Sequence, residues 1–167
     1  MVNPITAPAP VNSLKAKIQK WSAKLGFDSV GFSDTNLDQA EKYLLQWLGW
    51  NRQGEMAYMS RYGTRRSRPM EVVPSTICVI SVRMNYLPNT AIPALDALRN
   101  HEIGYVSRYA LGRDYHKLIR RRLQQLADRI TAEVGPFNYR AFADSAPVME
   151  KPLAVKAGLG WIGKHTN

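Results

Sequence analysis

The patterning of the chain predicts an α/β (α+β) domain in which a small mixed sheet is flanked by helices. Helical periodicities and short apolar runs alternate in the order αβααβ(β)αβα, which favours a sheet faced by helices. The 167 residues, 45% of them apolar, suffice to fill one core and fit a single domain. Residues 76–82 form the strongest strand signal, apolar on both faces and so expected in the centre of the sheet.

Each element follows from local signals. Residues 1–12 are rich in Pro and Ala and are expected to be a flexible lead-in, with residues 13–167 forming the domain. Ser13 caps a helix in which Leu14, Ile18, Trp21 and Leu25 recur at helical spacing, and Gly26 closes it. Asp28 to Ser33 alternates apolar with small residues and reads as a short strand. A second helix over 37–50 carries Ala40, Tyr43, Leu44, Trp47 and Leu48 as its apolar stripe. Gly54 to Tyr62 reads as a short amphipathic helix with Met56 and Met59 inward. Thr64 to Pro74 is a basic, proline-bounded loop, and residues 87–100, with Pro88 and Pro93, resemble a linker. Tyr105 to Tyr109 is a further candidate strand that ends at the Gly112 turn. Asp114 caps a long helix to about Glu133, with Ile119, Leu123, Leu126 and Ile130 on one face. Asn138 to Ala143 is the last expected strand, and Glu150 to Ala157, with Pro152 early and Gly158 beyond its end, a short helix. No internal repeat is present.

Charge narrows the partners. The chain has 23 Lys and Arg against 13 Asp and Glu, a net +10 concentrated after residue 50. Such a field attracts a polyanion before any specific contact forms, and it is not needed for a small neutral substrate. The lone cysteine, Cys78, falls in the strongest strand and is expected to be an inert buried hydrophobe. With one cysteine there is neither an internal disulfide nor a thiolate cluster for zinc or iron–sulfur. No histidine has a ligand-like partner spacing, so no protein-held metal is expected. Met1 to Pro10 lacks a basic leader pattern, and no apolar run nears the roughly 20 residues that span a bilayer. A cytoplasmic protein with no membrane partner is expected.

Four stretches carry candidate chemistry. Asp144 follows the expected strand 138–143, at the carboxyl end where open α/β sheets bind ligands. Its neighbours Phe142, Ala143, Ala146 and Pro147 suggest partly apolar surroundings, in which desolvation favours a protonated carboxyl ready to donate. The alternative is that Asp144 only caps the turn into the next helix, with Ser145 helping. Arg65, Arg66 and Arg68 form a cationic loop that reads either as a clamp for oxygen acceptors or as a solvated surface. Ser107 to His116 packs two bases, two tyrosines, a histidine and Gly112 into ten residues, which suits a flat, polar-edged ligand. The same residues also serve as a glycine turn followed by an Asp114 cap. Gly158 to Lys164 lacks the spacing of a phosphate loop, so its glycines are read as allowing close ligand approach, with Lys164 at the rim. Arg120, Arg121, Arg122 and Arg129 form a basic helix face, either solvated or in contact with RNA.

Several blocks, in order and at consistent spacing, resemble the amino-terminal half of the epoxyqueuosine reductase family. They are Gly54-Glu55-Met56, Arg66-Ser67-Arg68-Pro69, Val79 through Pro88, Arg108 through His116, Phe142-Ala143-Asp144-Ser145-Ala146-Pro147, and Lys156 through His165. The resemblance covers nearly all of the chain after about residue 13. It implies a cobalamin-binding catalytic domain similar in fold to the corrinoid domain of reductive dehalogenases. It implies reduction of epoxyqueuosine to queuosine at the tRNA wobble position, the last step of queuosine biosynthesis. Asp144 matches the family's proton donor and Arg66 an arginine that contacts cobalamin. Ser107 and Lys164 are expected to join Arg66 and Asp144 around the cofactor, with cobalt lacking a protein ligand and binding weak and base-off. The implied partners are tRNA bearing epoxyqueuosine and an electron donor, and the implied state is a monomer. Family members continue into a segment whose cysteines hold two [4Fe–4S] clusters and into a helical-repeat tail. This chain is expected to bind neither cluster and to be a truncated or split product. The competing expectation is a non-catalytic remnant or a cobalamin- or tRNA-binding module. A weaker one is a corrinoid enzyme acting on an organohalide.

Overall fold

The computed structural model describes residues 11–87 and 92–165. The lead-in expected for residues 1–12 lies outside it except at its end, where helix α1 (Val11–Lys24) begins two residues before Ser13. Gly26, at φ 79°, turns the chain out of α1 into strand β1 (Ser29–Ser33). There follow α2 (Asp38–Gly49), α3 (Tyr58–Arg61), a 3-10 turn over Gly63–Arg66, α4 (Pro69–Val72) and β2 (Val79–Arg83). The chain continues through α5 (Ala94–Arg99), a 3-10 turn over Arg108–Ala110, α6 (Tyr115–Val134) and α7 (Glu150–Lys156).

The fold is α+β, with helices around a sheet that is smaller than expected and antiparallel rather than mixed. β1 and β2 pair with Val30 opposite Val82, Gly31 opposite Ser81 and Phe32 opposite Ile80. A two-stranded ribbon is marginal alone in water, so its two faces must be covered. The alternation in β1 provides for this. Val30 and Phe32, with Ile80 and Val82, pack against the α1–α6 core of Ile18, Leu126 and Ile130. The small residues Ser29, Gly31 and Ser33 form the opposite face. There α7 packs on both strands, led by Leu153, 1% exposed. Gly31 is what permits this approach: a Cβ there would lie far inside van der Waals contact with the Ala157 carbonyl oxygen. At the far end of α7, Lys156 Nζ bonds the Asp34 carboxylate and, at 2.7 Å, the Asn36 carbonyl.

Several expectations are corrected. Residues 76–78 do not belong to the sheet, because β1 ends at Ser33 opposite Val79 and leaves them no partner. Ile77 is 88% exposed and Cys78 is exposed, not buried; β2 is half of a ribbon, not a central strand. The run 138–143 forms no strand. Tyr139 turns to α6 instead, where its hydroxyl accepts from Gln124 Nε2, and the Phe137 and Tyr139 ring centroids lie 5.2 Å apart. Tyr105–Tyr109 is likewise not a strand and runs into a 3-10 turn closed by Ala110 N–H to the Ser107 carbonyl at 2.9 Å. The 54–62 helix shrinks to α3, with Met56 exposed. The basic loop at 64–74 is ordered: Arg68 forks onto Glu41 at 2.7 and 2.9 Å, and Ser67, 2% exposed, bonds the same carboxylate. The expected linker 87–100 contains α5, and its Pro88 lies outside the described residues.

Candidate functional site

The long helix α6 starts where its sequence predicts, with Asp114 Oδ1 accepting the His116 backbone N–H at 3.0 Å. This cap also fixes the His116 ring, since Asp114 Oδ1 lies 2.9 Å from Nδ1. The ring stacks on Tyr115 at 4.1 Å, and both side chains point to one carboxyl: His116 Nε2 is 3.4 Å from Asp144 Oδ2, and the Tyr115 hydroxyl donates to the same oxygen. Two groups able to hold protons, the Tyr115 phenol and the His116 imidazole, thus meet at the Asp144 carboxyl. With Nδ1–H given to Asp114, Nε2 faces Asp144, and the imidazolium form donates to both carboxylates.

Asp144 sits at φ 57°, a left-handed conformation that is uncommon for residues other than glycine, asparagine and aspartate. A tight turn centres on it, with Ser145 N–H bonded to the Ala143 carbonyl at 2.7 Å. Its own N–H donates to Glu150 Oε1 at 3.2 Å, at the start of α7. Because 138–143 is not a strand, Asp144 is placed by this turn and by α7 and not by a strand end. Its side chain is 53% exposed, so the apolar enclosure expected from its neighbours is absent. Glu150 is also exposed as a residue. Protein packed around its carboxyl nevertheless raises its pKa, and the Asp144 charge adds to the rise.

The other expected site residues divide. Arg66 is joined to this region through its carbonyl, which accepts Met149 N–H at 2.9 Å, one residue before Glu150. Its guanidinium lies 5.7 and 5.8 Å from the Tyr58 and Tyr62 rings and donates to the Tyr58 carbonyl at 2.8 Å. Arg66 Nε is buried and has no hydrogen-bond partner. Arg68 is committed to Glu41, which lowers the carboxyl's pKa and raises that of the arginine. Ser107 and Lys164 are exposed, and among the described residues no hydrogen bond or ion pair joins either to Asp144. Sequence reasoning placed Tyr115 and His116 in a ligand-suited run but not beside Asp144, and it read Glu150 only as a helix start. Their meeting spans 29 residues of chain for Tyr115–Asp144, a separation that periodicity does not register.

The site is open. Cavities of about 410 and 390 Å3 lie elsewhere, the first beside Trp21, Lys24 and Arg129, the second beside Asp28 and Arg83–Tyr86. Beside the site, Tyr109 is 55% exposed with its ring 6.2 Å from that of Tyr115; elsewhere Tyr58 is 54% and Trp161 84% exposed. Among the described residues no helix is long and apolar enough to cross a membrane, and no three His, Cys, Asp or Glu side chains converge as a metal site.

The contact between Asp144 and Tyr115 has a titration signature. The hydrogen bond to the Asp144 carboxylate, with desolvation and that charge assisting, pushes the Tyr115 phenol up to about 12. One tyrosine in the carbon-13 NMR titration of ring-labelled protein is expected to ionise near that value, and to return towards 10.0 in Asp144→Asn. A wild-type titration with all tyrosines ionising together near 10.0 contradicts the contact.

Fold and site together define a class: an α+β domain with an acid–base cluster on an open face. The family is given by comparison. The domain described as "Epoxyqueuosine reductase QueG, DUF1730" matches residues 66–145. The epoxyqueuosine reductase of Pseudomonas aeruginosa is 57% identical over 162 residues, covering 97% of this chain and 44% of that protein. The structure of the Streptococcus thermophilus epoxyqueuosine reductase aligns with a TM-score of 0.72 at 25% identity, over 90% of this chain and 40% of that one. An epoxyqueuosine reductase solved with a tRNA-Tyr epoxyqueuosine-modified stem loop shares the fold, at TM-score 0.70 and 19% identity over 94% of this chain and 41% of that one. The chain belongs to the epoxyqueuosine reductase family. It spans less than half the length of the curated relatives it matches.

Proposed function

We propose that this chain is the cobalamin-binding, proton-donating domain of an enzyme that reduces epoxyqueuosine in tRNA to queuosine. The observation that carries the reading is the convergence of Tyr115 and His116 on Asp144, on an open face. Loss of an epoxide oxygen as water takes two electrons and two protons and leaves an alkene; we assign one of those protons to Asp144. His116, held by Asp114, is placed to restore the proton, and Tyr115 keeps its own proton and steadies the carboxyl.

The surface suits a corrin in two respects. The unpartnered, buried Arg66 Nε offers a donor to the amide fringe of such a ring, and the exposed aromatic residues offer apolar cover. Arg66, with Asp144 and, at the rim, Ser107 and Lys164, would hold the group, in a domain of the corrinoid-binding kind. Cobalamin, when bound, supplies the low-potential electrons that reach the epoxide carbon. The two [4Fe–4S] clusters are assigned to the region of the relatives beyond the matched segment, because this chain has one cysteine. The excess of positive charge favours the anticodon stem loop as partner, as in the tRNA-bound neighbour of the same fold. A cytoplasmic location follows from that partner.

The test is nucleoside analysis of bulk tRNA. Deleting the encoding gene is expected to replace queuosine with epoxyqueuosine, and restoring it in trans to reverse the change. Unaltered queuosine in the deletion strain overturns the reading.

A further inference from the structure

We infer that Glu150 is a positioning residue for Asp144, its carboxyl oxygen holding the Asp144 backbone in the turn that aims the acid at Tyr115 and His116. The turn is intrinsically unfavourable. Left-handed backbone is disfavoured for a residue that carries a Cβ, and surrounding contacts hold it there. Two contacts do so here. Ser145 N–H closes the turn on the Ala143 carbonyl at 2.7 Å, and Ala143 is anchored at 7% exposure. The second is Glu150 Oε1, which takes the Asp144 N–H at 3.2 Å. The first contact is only the turn itself, closed between neighbours. The second ties it to a fixed element, because α7 is seated by Leu153 on the ribbon and by Lys156 on the β1–α2 connection.

A bland role for Glu150 is available: an acid in the first turn of a helix interacts with the helix dipole. That role leaves the rise in the Glu150 pKa unexplained. A carboxyl satisfied by a helix terminus alone gains stability as an anion, whereas here packing and the facing Asp144 charge oppose ionisation. The carboxyl is held where it is costly to charge, which is reasonable if its oxygen is needed as an acceptor at that point. Acceptance requires only a carbonyl-type oxygen, so a glutamine suffices and an aspartate, one methylene shorter, does not.

The inference rests on the reading of Asp144 as the acid, but its test does not use activity. Four forms of the chain are compared: wild type, Glu150→Gln, Glu150→Ala and Glu150→Asp. Amide exchange at Asp144 and the Tyr115 phenol titration are read by NMR. Wild type and Glu150→Gln are expected to protect the Asp144 amide equally and to keep the phenol near about 12. In Glu150→Ala and Glu150→Asp the amide is expected to exchange about tenfold faster, as follows from losing one ordinary hydrogen bond. The phenol is expected to fall towards 10.0 as the carboxylate leaves it. Should the alanine variant not fold, the aspartate variant, which keeps the helix-terminal charge, decides alone. Equal protection and titration in wild type and Glu150→Asp overturn the proposal. So does a glutamine variant that behaves like the aspartate one, since then charge and not the acceptor holds the turn. Failure of the acid assignment is seen separately, in the tRNA nucleosides.

Discussion

Asp144→Asn, introduced at the chromosomal codon, is expected to leave epoxyqueuosine accumulating in tRNA, with the conversion rate lowered about 10²–10⁴-fold, the usual worth of a positioned general acid. The substitution isolates the proton. Asparagine keeps the shape of the side chain and its oxygen for Tyr115 and His116, and it is one of the few residues that tolerate a left-handed φ such as the 57° found here. Folding and tRNA affinity are therefore expected to stay unchanged, which thermal melting and stem-loop titration can check. Asp144→Ala would confound the result, because it adds backbone strain to the loss of the proton. Queuosine at the wild-type level in the asparagine strain removes Asp144 from the chemistry and returns it to the role of a turn residue.

Helices α1, α2, α6 and α7 are legible because a helix is stabilised by contacts three and four residues apart, and its caps are local: Asp114, Gly26 and Gly158 stand where the pattern puts them. Strands are not legible in the same way. The runs 76–78, 105–109 and 138–143 all have strand composition, but a strand exists only where another lies alongside. β1 is five residues long and finds a partner only in Val79–Arg83, so the other runs are left to pack against helices or to turn. The site divides along the same line. Asp144 is visible because its turn is local, and Arg66 because its loop is dense in charge. Tyr115, His116 and Glu150 meet Asp144 across gaps set by α6 and α7, and no spacing rule reports such a meeting. Cys78 fails for a related reason, since its burial depended on a sheet extension that the length of β1 does not allow.

Gly31→Val is expected to damage the fold, and its damage should reach the site. Position 31 lies on the face of the ribbon that meets α7, and a Cβ there would overlap both the carbonyl oxygen and the Cβ of Ala157. The obstacle is backbone, so no rotamer change relieves it; α7 must move away from β1. Overpacking of this kind costs about 1–3 kcal/mol, and the rigid neighbour puts it at the upper end. For a domain of this size that corresponds to a fall in Tm of roughly 5–10 °C. Gly49→Ala is the control, because nothing lies within 4 Å of its Cβ position and its place at the end of α2 requires no positive φ. There the added methyl should leave Tm unchanged or raise it slightly, since alanine is the better helix former by up to about 1 kcal/mol. The consequence for function follows from the order of contacts. Gly31 seats α7, α7 carries Glu150, and Glu150 holds the Asp144 turn, so displacing the helix should release the carboxyl from Tyr115. A Gly31→Val protein that melts with the wild type means α7 does not depend on this close approach. One that melts early yet keeps the Tyr115 phenol near about 12 means the ribbon and the acid are held independently.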